Sequence, residues 1–190
     1  MRAFIAIELP QDIKDYLQGI QHQLKDTGAD VKWVEPKNIH LTLKFLGEID
    51  DKKLESLTYI LQEAVTPKTS FHIRISSLGA FPGLNSMRVI WAGIDKGDKE
   101  AKEIATELEE NLSKSGIPKE TRGFLTHITI GRVKSPLNRV KLIQALAELK
   151  DNPAKLNLEF VAKEVSLFKS NLTPKGPIYE VLKAVSLKTI

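Results

Sequence analysis

The chain has 190 residues, a formal net charge of +4, 42% apolar and 27% charged residues, and no cysteine. This composition is that of an ordinary globular protein and excludes disordered and low-complexity classes, and the lack of cysteine excludes disulfides and thiolate metal sites. The apolar run at the N-terminus is too short for a secretory signal, and no segment reaches the roughly 18 apolar residues of a membrane span. We therefore expect a cytoplasmic protein that does not engage membranes, with a mildly basic surface compatible with a polyanion.

Hydrophobic periodicity predicts alternating strands and helices in the first half of the chain. An apolar run indicates a strand at 2–8, and Pro10 and Asp12 then open a helix that runs to about residue 26 and ends at Gly28. The next predicted elements are short strands at 31–34 and 40–45, a helix from Asp50 or Asp51 to about residue 65, and an alternating strand at 70–78.

The second half repeats this order. The predicted elements are a strand at 87–94, a helix at about 97–114, a strand at 125–133, a helix at 137–149, a strand at 155–167 and a last strand at 178–188. Gly116 and Pro118 close the first of these helices, and a Gly176-Pro177 turn precedes the last strand. Because strands follow one another through short turns, we expect antiparallel sheets, each backed by helices, in an α+β fold.

Three separate segments recur in nearly one register. Met1–Ile7 resembles Met87–Gly93 at an offset of 86 residues, and the run His40-Leu41-Thr42-Leu43 resembles His127-Ile128-Thr129-Ile130 at an offset of 87. Leu78–Phe81 falls opposite Val165–Phe168, again at 87. These matches predict a single bilobal domain over 1–190, built by internal duplication of about 1–86 and 87–176, followed by a final strand at 177–190. The two pseudo-symmetric lobes should enclose a central cleft.

Two of the four histidines open the same short pattern, in which a threonine follows two residues later. His40 and Thr42 form the first copy, and His127 and Thr129 form the second. Side chains two residues apart in a strand point to the same face, so each strand presents an imidazole beside a hydroxyl while the apolar residues between them face a core. A pseudo-twofold arrangement would bring all four side chains around one cleft.

Such a cleft holds the groups needed to cleave a phosphodiester without a metal. A neutral histidine takes a proton from water, while a protonated one gives a proton to the departing oxygen on the opposite side of phosphorus. Histidine suits both roles because its ordinary pKa is about 6.5, and the threonine hydroxyls can donate hydrogen bonds to the non-bridging oxygens. The near symmetry of the two motifs does not reveal which histidine is the acid and which is the base.

Two basic residues close to the motifs are candidate substrate contacts. Lys44 has the same strand parity as His40, and we expect it either to contact phosphate or to be solvated. Arg132 lies five residues after His127, so in a regular strand its side chain points to the opposite face. A role at the phosphate therefore requires a twist or a bulge in the strand. The alternative is that Arg132 forms a surface salt bridge. Phe45 has the same parity problem and is expected in the core.

Neither a metal nor a cofactor is predicted. The chain lacks cysteine, and neither motif contains a carboxylate or a further histidine. The remaining histidines are His22, on a predicted helix, and His72, on the polar side of a predicted strand. Both are expected at the surface.

The paired motifs resemble the 2H phosphoesterase superfamily, and more closely the bacterial and archaeal RNA 2′,3′-cyclic phosphodiesterases, also called 2′-5′ RNA ligases. The resemblance spans the whole chain. It is carried by Arg2–Ile7, His40–Gly47, Phe81-Pro82, Arg88–Gly93, His127–Arg132, Ser170, and Gly176-Pro177 with Tyr179.

This resemblance implies a substrate of RNA or an oligonucleotide that ends in a 2′,3′-cyclic phosphate, which water opens to a 2′-phosphate. It makes His40 the proton donor to the leaving 3′ oxygen and His127 the proton acceptor that activates water. The reverse reaction would join a 2′,3′-cyclic end to a 5′-hydroxyl end through a 2′-5′ linkage without ATP. We expect the protein to be a monomer.

Other functions fit the same residues. A non-catalytic RNA-binding module would use the basic cleft alone, and a metal-dependent phosphodiesterase would recruit ligands from distant residues. A related phosphodiesterase could keep the fold and act on 2′-5′ oligoadenylate or ADP-ribose cyclic phosphate instead.

Overall fold

The computed structural model describes residues 1–121, 123–150, 156–174 and 176–189. Within these ranges the chain forms nine strands and four helices. The strands are β1 (Arg2–Glu8), β2 (Val31–Trp33), β3 (His40–Glu48), β4 (Phe71–Phe81), β5 (Val89–Lys96), β6 (His127–Val133), β7 (Leu158–Ala162), β8 (Glu164–Thr173) and β9 (Gly176–Ser186). The helices are α1 (Gln11–Lys25), α2 (Leu54–Val65), α3 (Asp98–Lys114) and α4 (Arg139–Lys150), and single turns of 3-10 helix lie at Pro36–Asn38, Asp51–Lys53 and Leu84–Ser86.

The strands form two antiparallel sheets, as the α+β prediction requires. Sheet A has the order β3-β1-β8-β9, and sheet B has the order β2-β6-β5-β4-β7. Strand β4 comes from the first half of the chain but pairs with β5 in sheet B, and β8 comes from the second half but pairs with β1 in sheet A. Each lobe is therefore built from both halves of the sequence, whereas the duplication by itself suggested one lobe for each half.

The helices cover the sheets through rows of apolar residues at helical spacing. Helix α1 contacts β6 and α4 contacts β4, whereas α2 contacts β8 and β9 and α3 contacts β3. Sheet B is thus backed by α1 and α4, and sheet A by α2 and α3. The buried residues of both lobes join into one large core, which includes Ile13, Leu17, Ile20 and Leu24 of α1 and Ala101, Ile104, Leu108 and Leu112 of α3. None of the helices described has the length and apolar character needed to cross a membrane.

The single strand predicted at 155–167 is wrong, and its first residue lies outside the described ranges. Two strands occupy this region, with Lys163 between them: β7 pairs with β4 in sheet B, and β8 pairs with β1 in sheet A. The apolar pattern continues on both sides of the crossing, because each strand has a buried face. Periodicity alone therefore does not reveal that the chain changes sheets.

Strands β3 and β6 each contain a bulge directly after the histidine–threonine motif. In β3, Thr42 pairs with Ala6 but Lys44 pairs with Ile5, so that Leu43 is the extra residue. The same irregularity occurs in β6, where Thr129 pairs with Trp91 and Gly131 pairs with Ile90. A bulge adds one residue to a strand and reverses which side chains face which way beyond it.

Candidate active site

The two histidines have matching positions and matching backbone contacts. His40 is the first residue of β3 and His127 is the first residue of β6, and these two strands contact each other where the lobes meet. The Nδ1 atom of His40 lies 2.8 Å from the carbonyl oxygen of Asn38, and that of His127 lies 2.7 Å from the carbonyl oxygen of Leu125. Since a carbonyl only accepts, Nδ1 carries the proton in both rings, and Nε2 is the atom that can exchange protons.

His40 is enclosed by aromatic rings. Phe4 stacks on it with ring centroids 4.7 Å apart, Tyr179 meets it edge-on at 5.4 Å, and Phe168 lies 6.4 Å from it and stacks on Phe4 at 5.0 Å. Burial lowers the pKa of His40 to about 4; the hydrogen bond to Asn38 opposes this shift and the charge of Lys14 adds to it. His40 is therefore neutral at neutral pH in the unliganded protein.

His127 has an aromatic neighbour in the other lobe. Phe81 meets it edge-on at 5.0 Å and lies 5.2 Å from Trp91. Phe81 stands 87 residues before Phe168, which lies 6.4 Å from His40, and 87 is also the offset that relates the histidines. Strand pairing sets Trp91 opposite Thr129 but Ala6 opposite Thr42, so the second ring near each histidine comes from a different position in the two sheets.

The bulges bring Phe45 and Arg132 to the face of the cleft. Phe45 is 53% exposed and lines the cleft, so its expected place in the core is wrong. Arg132 is also exposed and lines the same cleft, because the bulge after Thr129 supplies the change of face that a regular strand would not. These two residues occupy the same position relative to their respective motifs.

The bulge has the opposite effect on Lys44. Its side chain turns toward the helices, where only 2% of it is exposed. Its Nζ lies 2.7 Å from Oε2 of Glu109 and donates to the carbonyl oxygen of Pro118 at 3.0 Å. Both alternatives expected for Lys44, a phosphate contact or a solvated side chain, are therefore wrong, because parity is lost at Leu43.

The cleft beside His40 has a volume of ≈ 530 Å³ and a basic, aromatic lining. Glu35 is the only acidic residue among its described lining residues. The cationic lining residues are Arg2, Lys32, Arg132 and Lys134, and the aromatic ones other than His40 are Phe4, Trp33, Phe45 and Tyr179. Clefts that combine cations with exposed rings suit the phosphates and bases of single-stranded nucleic acid.

Several of these residues were not predicted from the sequence. Lys32 enters the cleft because β2 pairs with β6 and sets Lys32 opposite Arg132, and Arg2 enters from the start of β1. Tyr179 comes from β9, and burial raises the pKa of its phenol while Arg132 and Arg2 oppose the shift. Tyr179 and Arg2 stood in segments that marked the family resemblance, whereas no local pattern distinguished Lys32.

The predicted site residues do not all line this cleft. His40, Thr129 and Arg132 line it together, whereas Thr42 and His127 lie on the same two strands beyond its lining. Throughout the part of the chain that the structure describes, no three histidine, aspartate or glutamate residues are grouped as metal ligands. His72 is half-exposed and lies 2.7 Å from Glu159 at the surface of sheet B.

Comparison with known protein families finds a match over nearly all of the chain. The family model described as LigT-like phosphoesterase matches twice, over residues 7–91 and 94–179. A protein from Methanocaldococcus jannaschii named RNA 2′,3′-cyclic phosphodiesterase is 42% identical over 96% of this chain and 99% of its own length. A protein of the same name from Methanothermobacter thermautotrophicus is 36% identical over 98% of this chain and 99% of its own length.

Solved structures agree with this match. A crystal structure of a Thermus thermophilus protein has a TM-score of 0.84 at 29% identity, and covers 100% of this chain and 99% of that chain. Escherichia coli LigT complexed with 3′-AMP has a TM-score of 0.78 at 25% identity, and covers 98% of this chain and 97% of that chain.

Proposed function

Because the chain belongs to the LigT-like phosphoesterase family, we propose that it hydrolyses 2′,3′-cyclic phosphate ends of RNA or oligonucleotides to 2′-phosphates by two-histidine acid–base catalysis. The names of its relatives support the reaction. The observation that carries the mechanism is the matched setting of His40 and His127, each of which donates Nδ1–H to the carbonyl two residues earlier. This shared contact directs Nε2 of both rings to proton exchange.

The proposed roles follow the family resemblance. His127 accepts a proton from the attacking water, and His40 gives a proton to the leaving 3′ oxygen, so that the attacking and leaving oxygens lie in line across phosphorus. Thr42 and Thr129 donate hydrogen bonds to the non-bridging oxygens, where negative charge increases in the transition state. The reverse reaction, an ATP-independent 2′-5′ ligation, uses the same groups.

The low pKa of His40 places a condition on its role as the donor. At about 4, this pKa keeps the ring neutral in the unliganded protein, so the proton must arrive with or after the substrate. A phosphate anion beside the ring favours the charged imidazolium and raises the pKa of His40. Binding of the cyclic phosphate is thus proposed to charge His40 for its step.

The basic lining of the cleft supports RNA as the substrate. Arg132 is proposed to contact phosphate, and Arg2, Lys32 and Lys134 extend the positive surface away from the motifs. Lys44 is excluded from this set because its ammonium group is buried against Glu109. No cofactor is required for the proposed steps.

The domain organisation remains part of the proposal. The two consecutive matches to the family model, over 7–91 and 94–179, support an internal duplication within one bilobal domain. Location in the cytoplasm and a monomeric state also stay predictions, which fractionation and light scattering would check.

The decisive experiment measures hydrolysis of an oligonucleotide with a 2′,3′-cyclic phosphate end in excess chelator. The wild type should turn over, and His40→Ala and His127→Ala should each lose at least about 10²-fold in rate. His72→Ala is the matched control, since this surface histidine lies outside the site, and it should keep the wild-type rate.

Each rival function has its own outcome in this experiment. Activity that chelator abolishes and metal restores would indicate a metal-dependent phosphodiesterase. Binding of the oligonucleotide without turnover would indicate a non-catalytic RNA-binding module. The same assay with 2′-5′ oligoadenylate and with ADP-ribose cyclic phosphate tests the related phosphodiesterases, and turnover confined to either substrate would indicate them.

A further inference from the structure

We infer that Gln21 and the Lys44–Glu109 ion pair are positioning residues that align the two histidine-bearing strands. Gln21 connects the segment before His40 to the strand of His127, and the ion pair connects the loop before His127 to the strand of His40. The inference rests on the proposed function, since it concerns the same pair of histidines. None of these three residues lines the cleft beside His40.

The Lys44–Glu109 pair secures the loop that leads to His127. Lys44 belongs to β3, the strand of His40, and its Nζ contacts both Glu109 on α3 and the carbonyl oxygen of Pro118 in the loop between α3 and β6. The other carboxylate oxygen of Glu109 accepts a hydrogen bond from the backbone N–H of Glu120 at 2.5 Å. One partly buried ion pair thus connects the His40 strand to two points of the loop that precedes His127.

Gln21 makes the reciprocal connection from α1. Its side chain is 1% exposed, and Nε2 donates to two carbonyl oxygens at 2.8 Å each. One belongs to Val34, in the segment that leads to His40, and the other belongs to Ile130, in the strand of His127. Ile130 is the extra residue of the bulge in β6, and Lys44 directly follows the extra residue of the bulge in β3.

The chemistry of these contacts indicates positioning rather than stabilisation. Burying a charged or amide group costs free energy unless each of its hydrogen bonds is made, and an apolar residue of similar size often stabilises a core equally well. What an ion pair or amide adds is direction, because its partners must lie at fixed distances and angles. Here the backbone partners lie in the strand of His127 or in the segments that lead to the two histidines, so these contacts fix the relative placement of the two rings.

The first test replaces the ion pair with an apolar pair, Lys44→Met with Glu109→Leu, so that no unpaired charge remains in the core. We expect kcat on a 2′,3′-cyclic oligonucleotide to fall by at least about tenfold, with KM changed by less than about threefold, because small misplacements of catalytic groups act on the chemical step. The midpoint of thermal unfolding should stay near the wild-type value. Lys99→Met with Glu103→Leu is the matched control, since this ion pair is exposed on the same helix.

The second test adds Gln21→Met, which removes the other connection. If both connections serve one alignment, the activation free energy lost in the combined variant should be less than the sum of the losses in Gln21→Met and in the Lys44–Glu109 double variant. A readout independent of turnover is the ¹³Cε1 NMR signal of His127, which should shift in the Lys44–Glu109 variant while that of His72 does not.

The outcomes separate this inference from the proposed function. A kcat within about twofold of the wild type in the apolar double variant would overturn the inference while leaving the function intact. A parallel fall of kcat, substrate affinity and unfolding midpoint would also overturn it, because that pattern indicates general loosening. An inactive wild type would refute the proposed function, and the His127 signal would still decide whether the ion pair positions this ring.

Discussion

The burial of His40 predicts a specific dependence of stability on pH. In the folded protein the pKa of this histidine is about 4, whereas in the unfolded chain it takes the ordinary value of 6.5. Between these values the unfolded chain binds a proton that the folded protein does not, so the free energy of unfolding decreases as the pH falls. The contribution is fully present above the unfolded pKa and is lost as the pH falls from 6.5 toward 4.

The size of the effect follows from the two pKa values. Lowering the pH from roughly 7.5 to 4.5 should remove about 2 to 3 kcal/mol of stability through His40 alone. That is a large part of the roughly 5–15 kcal/mol that stabilises a typical domain, so it is measurable by urea unfolding. The perturbation that isolates it is His40→Asn, which keeps a polar side chain but does not titrate in this range.

The assay compares the free energies of unfolding of the wild type and His40→Asn at both pH values. Titrating carboxylates, such as Asp95 beside Arg74, contribute equally to both proteins and cancel in the difference. The wild type should lose about 2 to 3 kcal/mol more than the variant on acidification. A difference that stays constant, or a His40 NMR signal that titrates near 6.5, would refute the argument that the aromatic enclosure keeps this ring neutral.

Three further predictions follow from the site. The profile of kcat/KM against pH should be bell-shaped, because one histidine must be neutral while the other is charged. This parameter reports the free enzyme, and the acidic limb of such a bell lies at the lower of the two pKa values, so it should lie near the pKa of about 4 that burial gives His40; an acidic limb at 6.5 or above would contradict this. Arg132→Met should raise KM for an oligonucleotide by about tenfold and reduce the salt dependence of binding by about one phosphate contact. The control is Arg74→Met, which lies outside the cleft and should change neither quantity. Gly79→Ala should destabilise the protein by about 1–3 kcal/mol in urea unfolding, because the added Cβ would overlap the Trp91 ring. Gly19→Ala should instead stabilise α1 by up to about 1 kcal/mol, because its Cβ meets nothing within 4 Å.

The sequence predicts those parts of the site that depend on local periodicity. His40 and His127 lie on strands, as the repeated motif indicates, and most predicted helices and strands agree with the observed ones to within a few residues. Such features need only the two-residue alternation of a strand or the spacing of a helix. Local patterns therefore carry the identity of the histidines and the type of each element.

The sequence could not reveal what depends on an extra residue in a strand. Alternation places Lys44 beside His40 and sends Phe45 and Arg132 to the opposite face, yet one bulge in each strand reverses all three. A bulge is set by how neighbouring strands pair, so it has no reliable local signal. Arg2 and Lys32 were not predicted as cleft residues because they reach the cleft from strands that are distant in sequence from the motifs.

The two bulges also give the histidine–threonine motifs different surroundings. Beyond the bulges, the first strand presents Phe45 to the cleft and buries Lys44, while the second presents Arg132 and leaves a glycine, Gly131, against the packed side chains of β2. The proposed in-line displacement needs an acid and a base on opposite sides of phosphorus, but the leaving oxygen belongs to a nucleoside whereas the attacking oxygen belongs to water. The matching histidine positions of β3 and β6 meet the first requirement, and the different residues beyond the two bulges meet the second. We therefore expect exchange of Phe45 and Arg132 to impair recognition of the oligonucleotide, seen in KM, more than the chemical step, seen in kcat; an equal loss in both would show that these residues also align the reacting groups.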